Sequence, residues 1–212
     1  WTGPLNMIDS VTIVENIIID PPTAKIYSRL GFKKKITSLS TSHQKETDRH
    51  IAEAATIIRL QGSFLHLPIR KNDGQNIFLE DQSIFSSKKL SVFLNGCREA
   101  VLMGATAGNP IMEAIREKSN SGDLTAAVIY DATASEMTDA ALDWIVAYIN
   151  RQLRREGRQL LPRRFSAGYA DFALENQKQI YQRLQLKKIG VTLTPSFILL
   201  PEKSVTAISG IA

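Results

Sequence analysis

Apolar positions along the chain change their spacing several times, and each change marks an element. VTIVENIIID (11–20) is dense in β-branched residues, which fit a pleated backbone, so it reads as one or two strands. Pro21-Pro22 closes it, because proline cannot donate to a strand ladder. From residue 43 the spacing becomes helical: Ile51, Ala54, Ala55 and Ile58 form one stripe within HQKETDRHIAEAATIIRL. Ser42 is its expected N-cap and Gly62 its expected stop. FLHLPI and NIFLE then read as two strands joined through KNDGQ, where Asp73-Gly74 favours a hairpin.

Ser86 or Ser87 starts a short helix, KKLSVFLNG, that Gly96 ends. CREAVLMGATAG (97–108) is continuously apolar and bounded by turn residues, the pattern of a strand buried on both faces. Pro110 suits the first turn of a helix over IMEAIREKS. A long helix runs from the Ser121-Gly122-Asp123 turn to about Arg155, with Met137, Ala141, Trp144, Ile145 and Tyr148 on one face. Leu174, Ile180, Tyr181 and Leu184 make the inward face of a later helix. The segment VTLTPSFILLPEKSVTAI reads as strands with a turn at Pro201-Glu202-Lys203. Helices and strands interleave without a regular βα alternation. The pattern predicts an α+β fold with an antiparallel or mixed sheet, its helices packed on it, in one domain over 1–212.

Composition narrows the chemistry. The formal net charge is +5, but the basic residues are scattered among Lys33-Lys34-Lys35, Arg70-Lys71, Lys88-Lys89 and Lys187-Lys188, besides one arginine cluster. No stacking aromatics accompany them, so nucleic acid is not the expected partner. No apolar run reaches the roughly 18 residues of a membrane span, and no secretory pattern is visible. Cys97 is the sole cysteine, which leaves neither a disulfide frame nor a thiolate metal cluster and suggests a cytoplasmic setting.

The usual catalytic signatures are missing. There is no GxGxxG, GxxxxGK[ST] or GxSxG, and His43, His50 and His66 all fall in the first third of the chain. GATAGNP is either a ligand-contacting loop or a tight strand-to-helix turn. On the long helix, Asp131, Glu136, Asp139 and Asp143 form either a solvated acidic face or a contact to a cationic ligand. Cys97 heads an apolar run and reads as a packing residue.

Six arginines lie between Arg151 and Arg164, with Glu156 the one acid among them. Arg164-Phe165-Ser166-Ala167-Gly168-Tyr169 closes that stretch. A guanidinium fork matches a carboxylate through two parallel bonds. Ser166, Ala167 and Gly168 leave the backbone bare, and Tyr169 offers a flat ring. The segment either clasps a small polar ligand or is the basic, exposed end of a helix followed by a loop.

Arg164-x-x-x-Gly168-Tyr169, a following helix, and LTPSFILLPEKSVTAISGI together resemble the activation (reactivation) domain of cobalamin-dependent methionine synthase. VLMGATAG and AVIYDATASEM look like that family's central strand and long helix. The likeness covers roughly residues 85–212, with 1–84 matching in outline. It implies a C-shaped α+β domain that binds S-adenosylmethionine along its inner surface. Arg164 would clamp the ligand carboxylate, Ser166 and Gly168 would offer backbone contacts, and Tyr169 would form a wall. Asp139 or Glu136 would supply the acidic residue of the long helix. Pro195 in Leu193-Thr194-Pro195-Ser196 departs from the family, which usually has Glu there.

The implied activity is reductive methylation of inactive cob(II)alamin, as a reactivation subunit for a separate cobalamin-binding methionine synthase chain. One electron would come from a donor such as flavodoxin and the methyl group from S-adenosylmethionine. The chain would then be a component of a methyltransferase system, with no catalytic acid, base or metal of its own. The alternative is a non-catalytic module that binds S-adenosylmethionine or a corrinoid protein.

Overall fold

The computed structural model of the chain describes residues 10–32 and 40–212. The expected Lys33-Lys34-Lys35 run lies outside the described residues. Along the chain come β1 (Thr12–Val14), α1 (Thr23–Arg29), α2 (Thr41–Ile57), β2 (Gln61–Asn72), β3 (Asn76–Leu79), β4 (Ile84–Ser86) and α3 (Lys88–Phe93). Then follow β5 (Glu99–Thr106), α4 (Asn109–Asn120), α5 (Leu124–Leu153), α6 (Asn176–Arg183), β6 (Thr192–Leu193), β7 (Leu199–Leu200) and β8 (Ser204–Ile211).

The main sheet runs β4-β3-β2-β5-β8, with β1 beside β2, and every pairing in it is antiparallel. β6 and β7 form a separate hairpin. The fold is α+β, as the pattern predicts.

Strand alternation divides the interior between two faces. On β5, Val101, Met103 and Ala105 face the layer of α2, α4 and α5, while Ala100 and Leu102 face α3, α6 and the 184–191 segment. β8 repeats the division, with Ala207 and Ile211 on the first side and Ile208 on the second. That is why CREAVLMGATAG carries no polar alternation: both sides of β5 are covered. Each fully buried Leu, Ile or Met contributes about 1.5–3 kcal/mol by leaving water.

Two glycines make this packing close. A methyl on Gly62 of β2 would sit 2.7 Å from Ile145 Cδ1 of α5. A methyl on Gly104 of β5 would sit 2.9 Å from Leu186 Cδ2 and 3.3 Å from Leu184 Cδ1. Gly104 lets the 184–186 segment lie directly on the sheet, where the buried Ser63 hydroxyl donates to the Leu184 carbonyl at 2.6 Å.

Several local expectations shift. Of residues 11–20 only Thr12–Val14 form a strand; beyond it the Ile17 amide donates to Leu60 O at 3.0 Å and Ile17 is buried. α2 is capped by Ser40, whose hydroxyl accepts from the His43 amide, and not by Ser42. Gly62 lies inside β2 and does not end α2, which stops at Ile57. The Ser87 cap of α3 and the Asp73-Gly74 hairpin are present as expected. GATAGNP is a strand-to-helix turn: Thr106 Oγ1 accepts from the Gly108 amide at 3.1 Å, and Gly108 takes a φ of 81° ahead of α4.

Candidate functional site

The site begins with the free edge of β8. Ile208 and Phe165 exchange backbone bonds, Phe165 N–H to Ile208 O at 2.8 Å and Ile208 N–H to Phe165 O at 2.7 Å. Leu161 N–H adds a bond to Gly210 O at 2.8 Å. The chain leading out of α5 therefore covers the C-terminal half of that edge. The half at Ser204–Thr206 has no strand beside it among the described residues. Thr206 is two residues from Ile208, so its peptide groups point the same way. Its carbonyl accepts from the Ser166 hydroxyl at 2.8 Å, and its amide has no partner among the described residues.

A cleft of about 650 Å³ opens on this edge. Its floor is Ser204–Ala207, and one wall is Asp139 and Leu142 of α5. The 164–170 turn, Leu174 and Gln177 form a second wall, and Phe197–Leu199 of the β6–β7 hairpin form the third. Gln177 is buried and accepts from the Thr206 hydroxyl at 2.9 Å, which ties α6 to the floor. Gly168 holds a φ of 87°, a region that favours glycine, and its amide donates to Phe172 O at 2.8 Å. That tight turn leaves the Ala167 amide and carbonyl without partners among the described residues.

Three charged side chains line the cleft: Asp139, Arg164 and Glu202. Arg164 is mostly buried, its side chain 26% exposed, and Nη1 donates to Asp143 Oδ1 at 2.7 Å. Asp143 Oδ2 also meets Lys25 Nζ of α1 at 3.3 Å. The Arg164 Nε and Nη2 edge has no partner among the described residues and stays available for a planar anion. Burial raises the Asp139 carboxyl above the usual carboxylate range; the Glu136 charge acts the same way, and the Arg164 and Arg29 charges oppose it. Asp139 makes no hydrogen bond among the described residues.

Four of the six expected site residues, Arg164, Ser166, Tyr169 and Asp139, border the same cleft. Gly168 shapes the turn from behind. Glu136 does not border the cleft: it is buried one turn away and accepts from Arg29 Nε at 2.6 Å. The Ser166 hydroxyl pins the turn to β8, and Tyr169, 71% exposed, stands at the rim. Pro195 is exposed on the hairpin and does not border the cleft, whereas Glu202 does. The sequence reading missed Phe197, Gln177, Glu202 and the floor. The basic turn and Asp139 were named as site residues, and the LTPSFILLPEKSVTAISGI segment carries the hairpin and floor without any of its residues having been assigned to the site; tertiary contacts bring these pieces together.

No protein-family model matches the chain, and no curated protein is similar to it in sequence. Among solved structures, the crystal structure of the MetH reactivation domain bound to AdoHcy is similar to 99% of this chain and 81% of that one. The TM-score is 0.69 and the identity 17%. The chain has the fold of that reactivation domain. The likeness of fold takes in the described residues before 85 as well, which the motif resemblance reached only in outline. No helix of the described residues is long and apolar enough to cross a membrane.

Proposed function

We propose that the cleft binds S-adenosylmethionine and that the chain serves a cobalamin-dependent methionine synthase in the cytoplasm. There it would support reductive methylation of cob(II)alamin held by a partner. The observation that carries the reading is the position of Arg164, half-sunk in a cleft that also holds a carboxylate and a peptide without partners among the described residues.

The lining fits the ligand's chemistry. S-adenosylmethionine presents a carboxylate, an ammonium, a sulfonium and an adenosine. The free edge of Arg164 would take the carboxylate, and Asp139 would take the ammonium. The Ala167 peptide and the Thr206 amide offer donors and an acceptor to polar edges of the nucleoside, while Tyr169 and Phe197 supply apolar walls. A volume near 650 Å³ lies within the range of about 300–1,000 Å³ usual for small-ligand sites. The neighbour of like fold holds AdoHcy.

When bound, S-adenosylmethionine supplies an electrophilic methyl group for reduced cobalamin. The chain's own residues bind and orient. Arg164, braced by Asp143, fixes the amino-acid tail, and the Ser166–Thr206 bond fixes the turn against the floor. Orientation of this kind lowers the barrier by removing the freedom of the reacting groups. An electron donor such as flavodoxin would supply the reducing equivalent.

The test is reconstitution. A methionine synthase lacking its own reactivation domain and trapped as cob(II)alamin is mixed with this chain, reduced flavodoxin and S-adenosylmethionine. The methylcobalamin spectrum should appear and turnover resume, and omitting S-adenosylmethionine should stop both. Binding of S-adenosylmethionine without recovery would leave only a binding module.

A further inference from the structure

The charges around the cleft do not balance, and the imbalance has a direction. Of the three lining charges, Arg164 is already offset by Asp143. Lys203, next to Glu202, turns away to α5, where Nζ meets Asp131 Oδ1 at 2.7 Å and Ser135 Oγ at 2.9 Å. Arg29 is held by Glu136. Asp139 and Glu202 remain, neither with an ion-pair partner among the described residues. The cleft therefore presents an excess of negative charge, which suits a ligand with one more positive than negative group.

The two carboxylates occupy different places. Asp139 of α5 and Arg164 of the following turn both border the cleft, an anion and a cation of the kind an amino-acid head needs. Glu202 is carried by the turn between β7 and β8; it borders this cleft and also a neighbouring one that Arg116 of α4 lines, without an ion pair to Arg116. It is exposed and makes no hydrogen bond or ion pair among the described residues.

We infer that Glu202 is a specificity-determining residue: its carboxylate makes the cleft favour a sulfonium over a neutral thioether. The inference rests on the reading of the cleft as an S-adenosylmethionine site. S-adenosylmethionine carries a net charge of +1, whereas S-adenosylhomocysteine, its product after methyl loss, carries none. An exposed carboxylate facing a cation at roughly 4 Å in water-like screening contributes on the order of 1 kcal/mol, about fivefold in affinity. The cleft would thus hold the methyl donor and release the spent product.

Calorimetric titration of wild-type protein and Glu202→Gln with three nucleosides tests this. They are S-adenosylmethionine, S-adenosylhomocysteine and sinefungin, whose amine replaces the sulfonium and keeps a positive charge. Wild type should bind both cationic nucleosides about fivefold more tightly than S-adenosylhomocysteine, with the gap narrowing in high salt. Glu202→Gln should bring all three to similar affinity by weakening the cationic pair alone. A thermal melt like that of wild type would show the variant intact. Equal affinities in wild type, or an equal loss for all three in the variant, would overturn the inference while leaving the site reading standing. Binding of none of the three by wild type would overturn both.

Discussion

Replacing Arg164 by alanine separates ligand grip from fold support. In the free protein Arg164 makes one ion pair among the described residues, at 2.7 Å to Asp143, whose side chain is 51% exposed. A pair with that exposure is worth about 0.2–1 kcal/mol after screening. Asp143 also keeps Lys25 as a partner when Arg164 is gone. For a chain of this size 1 kcal/mol moves the melting temperature by about 2–4 °C, so Arg164→Ala should melt within about 4 °C of wild type.

Ligand binding should respond far more. A pair of hydrogen bonds from a guanidinium to a carboxylate contributes about 1.5–3 kcal/mol, so the S-adenosylmethionine Kd should rise about 10- to 150-fold. Arg164→Lys should fall between, since it keeps the charge and loses the fork. The control ligand is 5′-methylthioadenosine, which has the nucleoside and the sulfur but no amino-acid tail. Its affinity should be unchanged within about twofold, because Arg164 has nothing to hold. Isothermal titration of both ligands against both proteins, with a melt of each variant, reads all three quantities. Equal losses for the two ligands, or a melting point lowered by tens of degrees, would refute the assignment of Arg164 to the tail.

Other outcomes follow from the packing and the titrating groups. Gly104→Ala places a methyl 2.9 Å from Leu186 Cδ2, so the buried Leu186 and Leu184 side chains must repack and the protein should lose about 1–3 kcal/mol, read by denaturant melts. Acidification through the raised Asp139 value should weaken S-adenosylmethionine binding at a pH above the usual aspartate range near 3.9, because the carboxylate that meets the ammonium is lost. Asp139→Asn should flatten that dependence in titrations at a series of pH values. Burial depresses His66, with the neighbouring Glu99 charge opposing. Its contribution to stability is present above about 6.5 and lost as pH falls through the depressed folded value, since the unfolded chain then binds the extra proton. His66→Phe should be less sensitive to acid in melts between about pH 5 and 7.

How far the sequence alone reached depends on the range of the interactions involved. α5, β5, the Ser87 cap and the Asp73-Gly74 hairpin are all set by neighbours within a few residues, and all were legible. The end of α2 was misread because Ile58 and Leu60 continue the apolar spacing while the chain has already turned toward β2. α1 was missed: a seven-residue helix after Pro22 has too little periodicity to show, although proline just ahead of a helix start is a usable signal. Its importance is long-range, since Lys25 reaches Asp143 and Arg29 reaches Glu136 far along the chain. Spacing left Glu136 and Asp139 equivalent; Arg29 claims the first and leaves the second open. Glu202 carries no local signature, and only the folding of the β6–β7 hairpin over the β8 edge brings it to the site.

The central claim is that this cleft holds a methyl donor by its amino-acid tail. Equilibrium dialysis of the purified chain with isotopically labelled S-adenosylmethionine measures it directly. The account predicts saturable binding of one molecule per chain, with the Arg164→Ala curve shifted to about 10- to 150-fold higher ligand concentration. Wild-type protein that retains no label above the buffer compartment would contradict it.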